Sequence, residues 1–347
     1  MRAFSYVSPT KKEEVIGLLG KGWGEVEILA GGSDLLSLMK DDIVTPKALV
    51  NIKQVPGLHA IEGNPTIGLK LGALLTLDRI SSTGLIQKVY PALAVAAGDA
   101  ASPQIRNVAT LGGNLCQRPR CWYFRSGHGL LGQDKDGKSL VLAGDNRYHA
   151  ILGNDGPAYF VSPSTVAPML IAYGARIEIF GPQGARELPL EKFFVIPKSQ
   201  QEREHDLSPN EIVTGVSLPA PAAGLRAASY EVRQKEAFDW PYATCSVALV
   251  MNGSTVQSAR VVLGHVAPVP WVSAEAAQVL AGKAVTQATA DQAAQAAVAK
   301  AKSLGHNAQK IQLARVAVKR AILAAAGSQS NARAGVARNG ASAGGAE

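Results

Sequence analysis

Apolar positions change period repeatedly along the chain, and each change marks an element. From Lys11 to Leu19, Val15, Ile16, Leu18 and Leu19 share one side, which predicts a short amphipathic helix. Val26-Glu-Ile-Leu-Ala30 and Lys47-Ala-Leu-Val-Asn-Ile52 predict strands, with a helix opening over Asp34 to Met39 between them. The first 55 residues therefore predict a small α/β unit. A second unit runs to about residue 218. It has a strand at Thr66–Gly72, helices at Asp78–Ser82, Leu85–Ala97 and Pro163–Tyr173, and strands at Ala175–Phe180 and Glu211–Leu218. Between them lies a polar, glycine-rich loop from Arg118 to Arg147. Two prolines and a glycine between Pro219 and Gly224 predict a boundary. Beyond it come strands at 227–233, 244–251 and 256–264, then three Ala-rich helical stretches to Ala326. The last stretch, 327–347, has almost nothing to bury and predicts disorder. No repeat of 20–50 residues is present.

Two glycine turns interrupt this pattern. The first, Leu29-Ala-Gly-Gly-Ser-Asp-Leu-Leu36, lies between a strand and a helix start, an arrangement that presents backbone N–H groups to an anion such as a pyrophosphate. The same residues also suit a plain strand-to-helix turn capped by Ser33 or Asp34, since no G-x-G-x-x-G or Walker pattern is present. The second, Thr110-Leu-Gly-Gly-Asn-Leu115, closes the segment that begins at Ala101. Its glycines suit a backbone bent tightly beside a ligand and offering it N–H groups, with a hydroxyl and an amide added. Arg106-Asn107 just ahead can steady the loop or reach a phosphate. Two glycine loops in different units suit an extended ligand clamped between them.

The pair of turns, with Leu71-Gly-Ala73, Asn146-Arg-Tyr-His-Ala-Ile-Leu-Gly153 and Gly264-His-Val-Ala-Pro-Val-Pro-Trp271, resembles the FAD-binding subunit of the molybdenum hydroxylases, the xanthine dehydrogenase and aldehyde oxidoreductase group. The likeness runs over nearly the whole chain. It implies an α+β fold: a vanillyl-alcohol-oxidase (PCMH)-type FAD-binding domain over 1–218, with subdomains of about 1–55 and 56–218. A CO dehydrogenase flavoprotein-type C-terminal domain over 225–326 follows, with a three-stranded antiparallel sheet and helices. It also implies that Glu27, Ile28, Leu29, Ala30, Gly31, Gly32, Ser33, Asp34 and Leu35 line the pyrophosphate and ribitol. By the same likeness, Thr110, Gly113 and Asn114 sit by the flavin, and Val213 and Lys235 near its ring. The family often has Ser-Asp-Leu where this chain reads Ser164-Thr-Val166, so the resemblance puts the Thr165 hydroxyl in place of an acidic contact.

The periplasmic-type aldehyde oxidoreductases carry a four-cysteine loop for a [4Fe–4S] cluster after the Gly-Gly-Asn turn. This chain has three cysteines in all, Cys116, Cys121 and Cys245, so no cluster is expected in it. No histidine lies at the first turn, so FAD is expected to bind non-covalently. His149 and His265 are read as structural. The implied partners are a molybdenum-cofactor large subunit and a [2Fe–2S] small subunit, with electrons passing through this chain's FAD to an acceptor. Alternatives are a self-sufficient flavin oxidase of the same fold acting on an alcohol or sugar, and a scaffold that binds partners through the Ala-rich helices.

Bulk properties narrow the field. The net charge is +8, but the basic residues are spread out and form no cluster interleaved with aromatics, so nucleic acid is not an expected partner. A basic rim facing an anionic cofactor or an acidic partner fits better. No apolar run is long enough for a membrane span, and the N-terminus has no apolar signal region. With few cysteines, these features predict a cytoplasmic protein, or a periplasmic one carried by an exported partner.

Overall fold

The computed structural model describes residues 1–235 and 239–327. Strands β1 (Ser5–Val7), β2 (Val26–Leu29) and β3 (Ala48–Asn51) form a parallel sheet in the order β1-β3-β2. The helix Lys12–Leu18 covers it and seals a small core of Val15, Val50, Ile52 and Leu58. A five-stranded antiparallel sheet follows, built from β4 (Ile61–Asn64), β5 (Gly68–Gly72), β6 (Arg176–Gly181), β7 (Gly184–Pro189) and β8 (Ile212–Leu218) in the order β4-β5-β8-β6-β7. Helices between Leu77 and Gly98 and the helix Ala167–Ala172 pack into its large core.

A third sheet contains β9 (Leu225–Val232), β10 (Ala243–Asn252), β11 (Thr255–Gly264) and β12 (Trp271–Val272), in the order β12-β11-β10-β9. Helices Ala274–Leu280, Gln287–Ala297 and Ala308–Ala325 supply Ala276, Ala293, Ala294, Ala314, Ala317 and Ala321 to the core beside this sheet, where small side chains let helix and sheet approach closely. Lys310 is buried here, and its ammonium donates to the carbonyls of Tyr148 (2.7 Å) and His149 (3.1 Å). Asn307 donates to His149 and Ala150 from the same end of the helix. These bonds pin the helix to the segment ahead of β6.

Several expectations change. The C-terminal sheet has four strands, not three; β12 is two residues long and follows two prolines, too short to alternate. The helix expected over Leu85–Ala97 is broken at Pro91 into Gly84–Val89 and Pro91–Gly98, since proline lacks the N–H that would continue it. The helix expected from Pro163 is only Ala167–Ala172. The loop Arg118–Arg147 holds two single-turn helices, Trp122–Arg125 and Leu140–Ala143. Its Cys121, Phe124, Leu130 and Val141 pack with Leu38 in a core of their own. Of the tail expected to be disordered, all but Gly327 lies outside the described residues.

Candidate functional site: a cleft between two glycine turns

Strand β2 delivers the chain into Ala30–Ser33, and the helix Leu35–Lys40 starts directly after. Carbonyls of Gly32 and Asp34 accept from Leu36 and Leu38. The N–H groups of Gly31, Gly32, Ser33 and Asp34 donate to no carbonyl or side chain among the described residues. Gly32 has φ +71°, a conformation that favours glycine. Gly31 is needed for a different reason: a Cβ there would lie 1.8 Å from the Val108 carbonyl oxygen. The capping alternative fails, because Asp34 makes no side-chain cap bond. Its carboxylate instead accepts from the Arg118 N–H (2.8 Å) and pairs with Arg120 (3.1 Å) and Arg125 (2.7 Å).

The second turn is built differently. Residues 101–115 fold as two short helices, Pro103–Val108 capped by Ser102 and Leu111–Cys116 capped by Thr110. Gly112 and Gly113 sit inside the second helix, and neither has positive φ. Its N–H groups are occupied: Leu111 donates to Leu75, Gly112 to Ala73, Gly113 to the Thr110 hydroxyl and Asn114 to the Thr110 carbonyl. This turn therefore offers surface and close approach, not N–H donors. A Cβ at Gly112 would press on Ala73 at 3.1 Å. Arg106 steadies the segment by donating to Ala100 and Ala101.

Between the turns lies an open cleft, its wall drawn from both glycine turns and from the ends of β2 and β8. Of the sequence-predicted residues, Glu27, Ile28, Ala30, Gly31, Gly32, Ser33, Asp34, Leu35, Thr110, Gly113 and Val213 line it. Leu29, Asn114, Thr165 and Lys235 do not. Asn114 acts behind the wall: its Oδ1 accepts from Ser164 Oγ (2.8 Å) and the Val166 N–H (3.3 Å), holding the segment that carries buried Thr165. Lys235 is exposed, and its N–H donates to Asp239.

Sequence reasoning missed Trp23, Gln117, Arg118, Arg203, His205 and Glu211, which add aromatic, polar and charged side chains to the wall. Arg118, Arg120 and Arg125 directly follow the Gly-Gly-Asn turn, and that local basic density was the available signal. Arg118 pairs with buried Glu204, whose second oxygen has no hydrogen-bond partner among the described residues. Burial pushes the Glu27 carboxyl up from its ordinary value, with Arg118 opposing and Glu204 reinforcing the shift. Burial also holds the His205 imidazole below its usual range and pushes the Cys116 thiol up to about 12, so both are neutral near pH 7. Cys121 Sγ lies 3.1 Å from His149 Nε2, and Cys245 is in β10, in a separate core. Among the described residues no group of three His, Cys, Asp or Glu is placed to hold a metal ion. Nor is any helix there long and apolar enough to cross a membrane.

Comparison with known proteins agrees with this geometry. Residues 2–221 match the model of the FAD binding domain in molybdopterin dehydrogenase, and residues 228–325 that of the CO dehydrogenase flavoprotein C-terminal domain. The chain is 32% identical to the aldehyde oxidoreductase FAD-binding subunit PaoB of Escherichia coli K12, over 78% of this chain and 84% of that one. It is 30% identical to the carbon monoxide dehydrogenase medium chain of Hydrogenophaga pseudoflava, over 85% and 86%. Among solved structures, carbon monoxide dehydrogenase from Hydrogenophaga pseudoflava superposes with a TM-score of 0.74 at 28% identity, covering 95% of this chain and 99% of that one. Quinoline 2-oxidoreductase from Pseudomonas putida 86 gives 0.72 at 26%, covering 94% and 98%. An N–H-lined glycine turn facing an open cleft, on a chain that matches both family domains along most of its length, places this protein among the FAD-binding subunits of the molybdenum hydroxylases.

Proposed function

We infer that this chain is the electron-transfer subunit of a heterotrimeric molybdenum hydroxylase that oxidises an aldehyde or an N-heterocycle. A molybdenum-cofactor large subunit and a [2Fe–2S] small subunit would be its partners. The observation that carries the reading is the first glycine turn: successive N–H groups without an acceptor among the described residues, at the wall of an open cleft shared with the second glycine turn. These residues are half-buried or, at Ser33, exposed, so the donors are accessible from the cleft, and successive N–H groups ahead of a helix suit an anionic pyrophosphate. Gly31 to Leu35 would hold the pyrophosphate, and Asp34 keeps Arg118, Arg120 and Arg125 gathered beside it. Thr110 and Gly113 would form the flavin side, held from behind by Asn114 and the segment carrying Thr165, with Val213 toward the ring. We assign residues 1–218 to FAD binding and 225–326 to the C-terminal domain.

Bound FAD exchanges one or two electrons and so can join a one-electron cluster to a two-electron acceptor. The protein's part is to position it and exclude water. Co-expression with the two partner genes, affinity purification and metal analysis test the reading. Recovery of a complex containing molybdenum, iron and FAD supports it; a yellow chain that co-purifies with neither partner and turns over an alcohol alone refutes it.

A further inference from the structure

We propose that Arg233, which belongs to the C-terminal domain, is a positioning residue for the cofactor cleft: it holds the turn Asp99–Ala101, and through that turn the helix packed against the first glycine turn. Its role rests on FAD binding in the cleft, as inferred above.

The helix Pro91–Gly98 ends at Asp99, and the carbonyls of Asp99, Ala100 and Ala101 follow in succession. Guanidinium groups take all three. Arg106 donates to Ala100 (2.9 Å) and Ala101 (3.1 Å), and Arg233 donates to Asp99. Arg106 is a near neighbour in the chain. Arg233 directly follows β9 and comes from 134 residues beyond Asp99. Its side chain and that of its ion-pair partner Glu231 are only 6% and 3% exposed, and its Nε donates to the carboxylate at 2.7 Å. A guanidinium fork fixed by a buried carboxylate aims its donors with little freedom.

The turn needs such a hold. Ala101 has φ +44°, a left-handed conformation that an L side chain disfavours. The helix Pro103–Val108 begins two residues later, and none of its residues is buried, so polar ties set where it starts. At its far end the Val108 carbonyl lies so close to Gly31 that a Cβ there has no room. A shift of the turn is therefore passed along this short helix to the backbone whose N–H groups face the cleft. In this way the C-terminal domain, whose described residues do not line the cleft, helps to set its width.

The test uses the full-length chain carrying Glu231→Gln, with and without Arg233→Met, so that no carboxylate is left buried without its partner. Each protein, stripped of flavin, is titrated with FAD by fluorescence. Visible circular dichroism of the bound flavin then reports the geometry around it. Arg233→Met is expected to weaken FAD about tenfold, the scale of one hydrogen bond to a charged group, and to change the visible dichroism. Adding Ala101→Gly should recover most of that loss, because glycine adopts the turn without strain. Arg226→Met, also in β9, loses a bond to the Ala326 carbonyl within its own domain and should move neither flavin reading, whatever it does to Tm. Should the Arg233→Met protein fail to fold, Arg233→Lys in the wild-type chain, which keeps the charge without the fork, is read in the same way. Equal FAD affinity and dichroism with and without Arg233 overturn the positioning role and leave the cofactor reading standing. So does a loss that Ala101→Gly fails to reduce. If the wild type binds no FAD, both are overturned.

Discussion

Replacing Gly31 with alanine should be more damaging than replacing Gly32, although only Gly32 has the backbone conformation that favours glycine. At Gly32, alanine meets a strained φ of +71° at a cost of about 1–2 kcal/mol, and its Cβ touches Leu36 Cδ1 at 3.0 Å, the end of a side chain that can turn away. At Gly31 the obstacle is backbone. The added Cβ would sit 1.8 Å from the Val108 oxygen and 2.7 Å from its carbonyl carbon. Reaching even a tight contact of 3.0 Å requires the two turns to part by more than 1 Å. Val108 cannot move alone, because Ala109 next to it donates to Ile105 and accepts from Leu77. Overpacking of this kind costs about 1–3 kcal/mol, and each kcal/mol lowers Tm by about 2–4 °C in a domain of this size. The larger effect falls on the cofactor, since parting the turns widens the cleft where the pyrophosphate sits. A displacement of about 1 Å at a positioned site can cost a factor of 100. Each variant would be purified identically and its flavin-to-protein ratio taken from the visible and ultraviolet absorbance, with thermal melts alongside. Gly31→Ala should emerge nearly flavin-free and Gly32→Ala partly loaded. A Gly31→Ala protein with full flavin and an unshifted Tm would refute the packing of the two turns and the cradle together.

Other outcomes follow from the same geometry. Burial lowers the Lys310 ammonium to about 7, below its unfolded value of about 10.4, so above pH 7 the unfolded chain binds the extra proton. Stability should then rise between pH 7 and 8.5, by about 1.4 kcal/mol per pH unit from this group at most; melts of Lys310→Met should lose that slope, and an unchanged slope counts against a strained ammonium there. Acid precipitation should release all flavin into the supernatant, whereas colour kept in the pellet means a covalent link. Iron and acid-labile sulfide, assayed on the anaerobically purified subunit alone, should be near zero beside one flavin. Close to four irons per chain would show that Cys116, Cys121 and further ligands assemble a cluster after all.

Much of the fold was legible in the sequence because its elements follow from near neighbours. The strand, glycine turn and helix start over residues 26–39 came from the switch between periods, and the Ala-rich helices from spacing alone. The two-residue β12 was not legible, since its strand character comes only from pairing with Val262 and Leu263. Within the site, the sequence determined that two glycine turns exist and that one follows a strand. Only the tertiary structure decided their different jobs. At the second turn, distant Ala73 and Leu75 accept its N–H groups; at the first, nothing described does. Asp34 would cap its own helix by local rules, but Arg118, Arg120 and Arg125, more than 80 residues away, take its carboxylate. Steric preferences of successive residues set where a chain turns. Whether a turn's donors remain available to a ligand depends on which segment folding brings against them, and no local pattern carries that information.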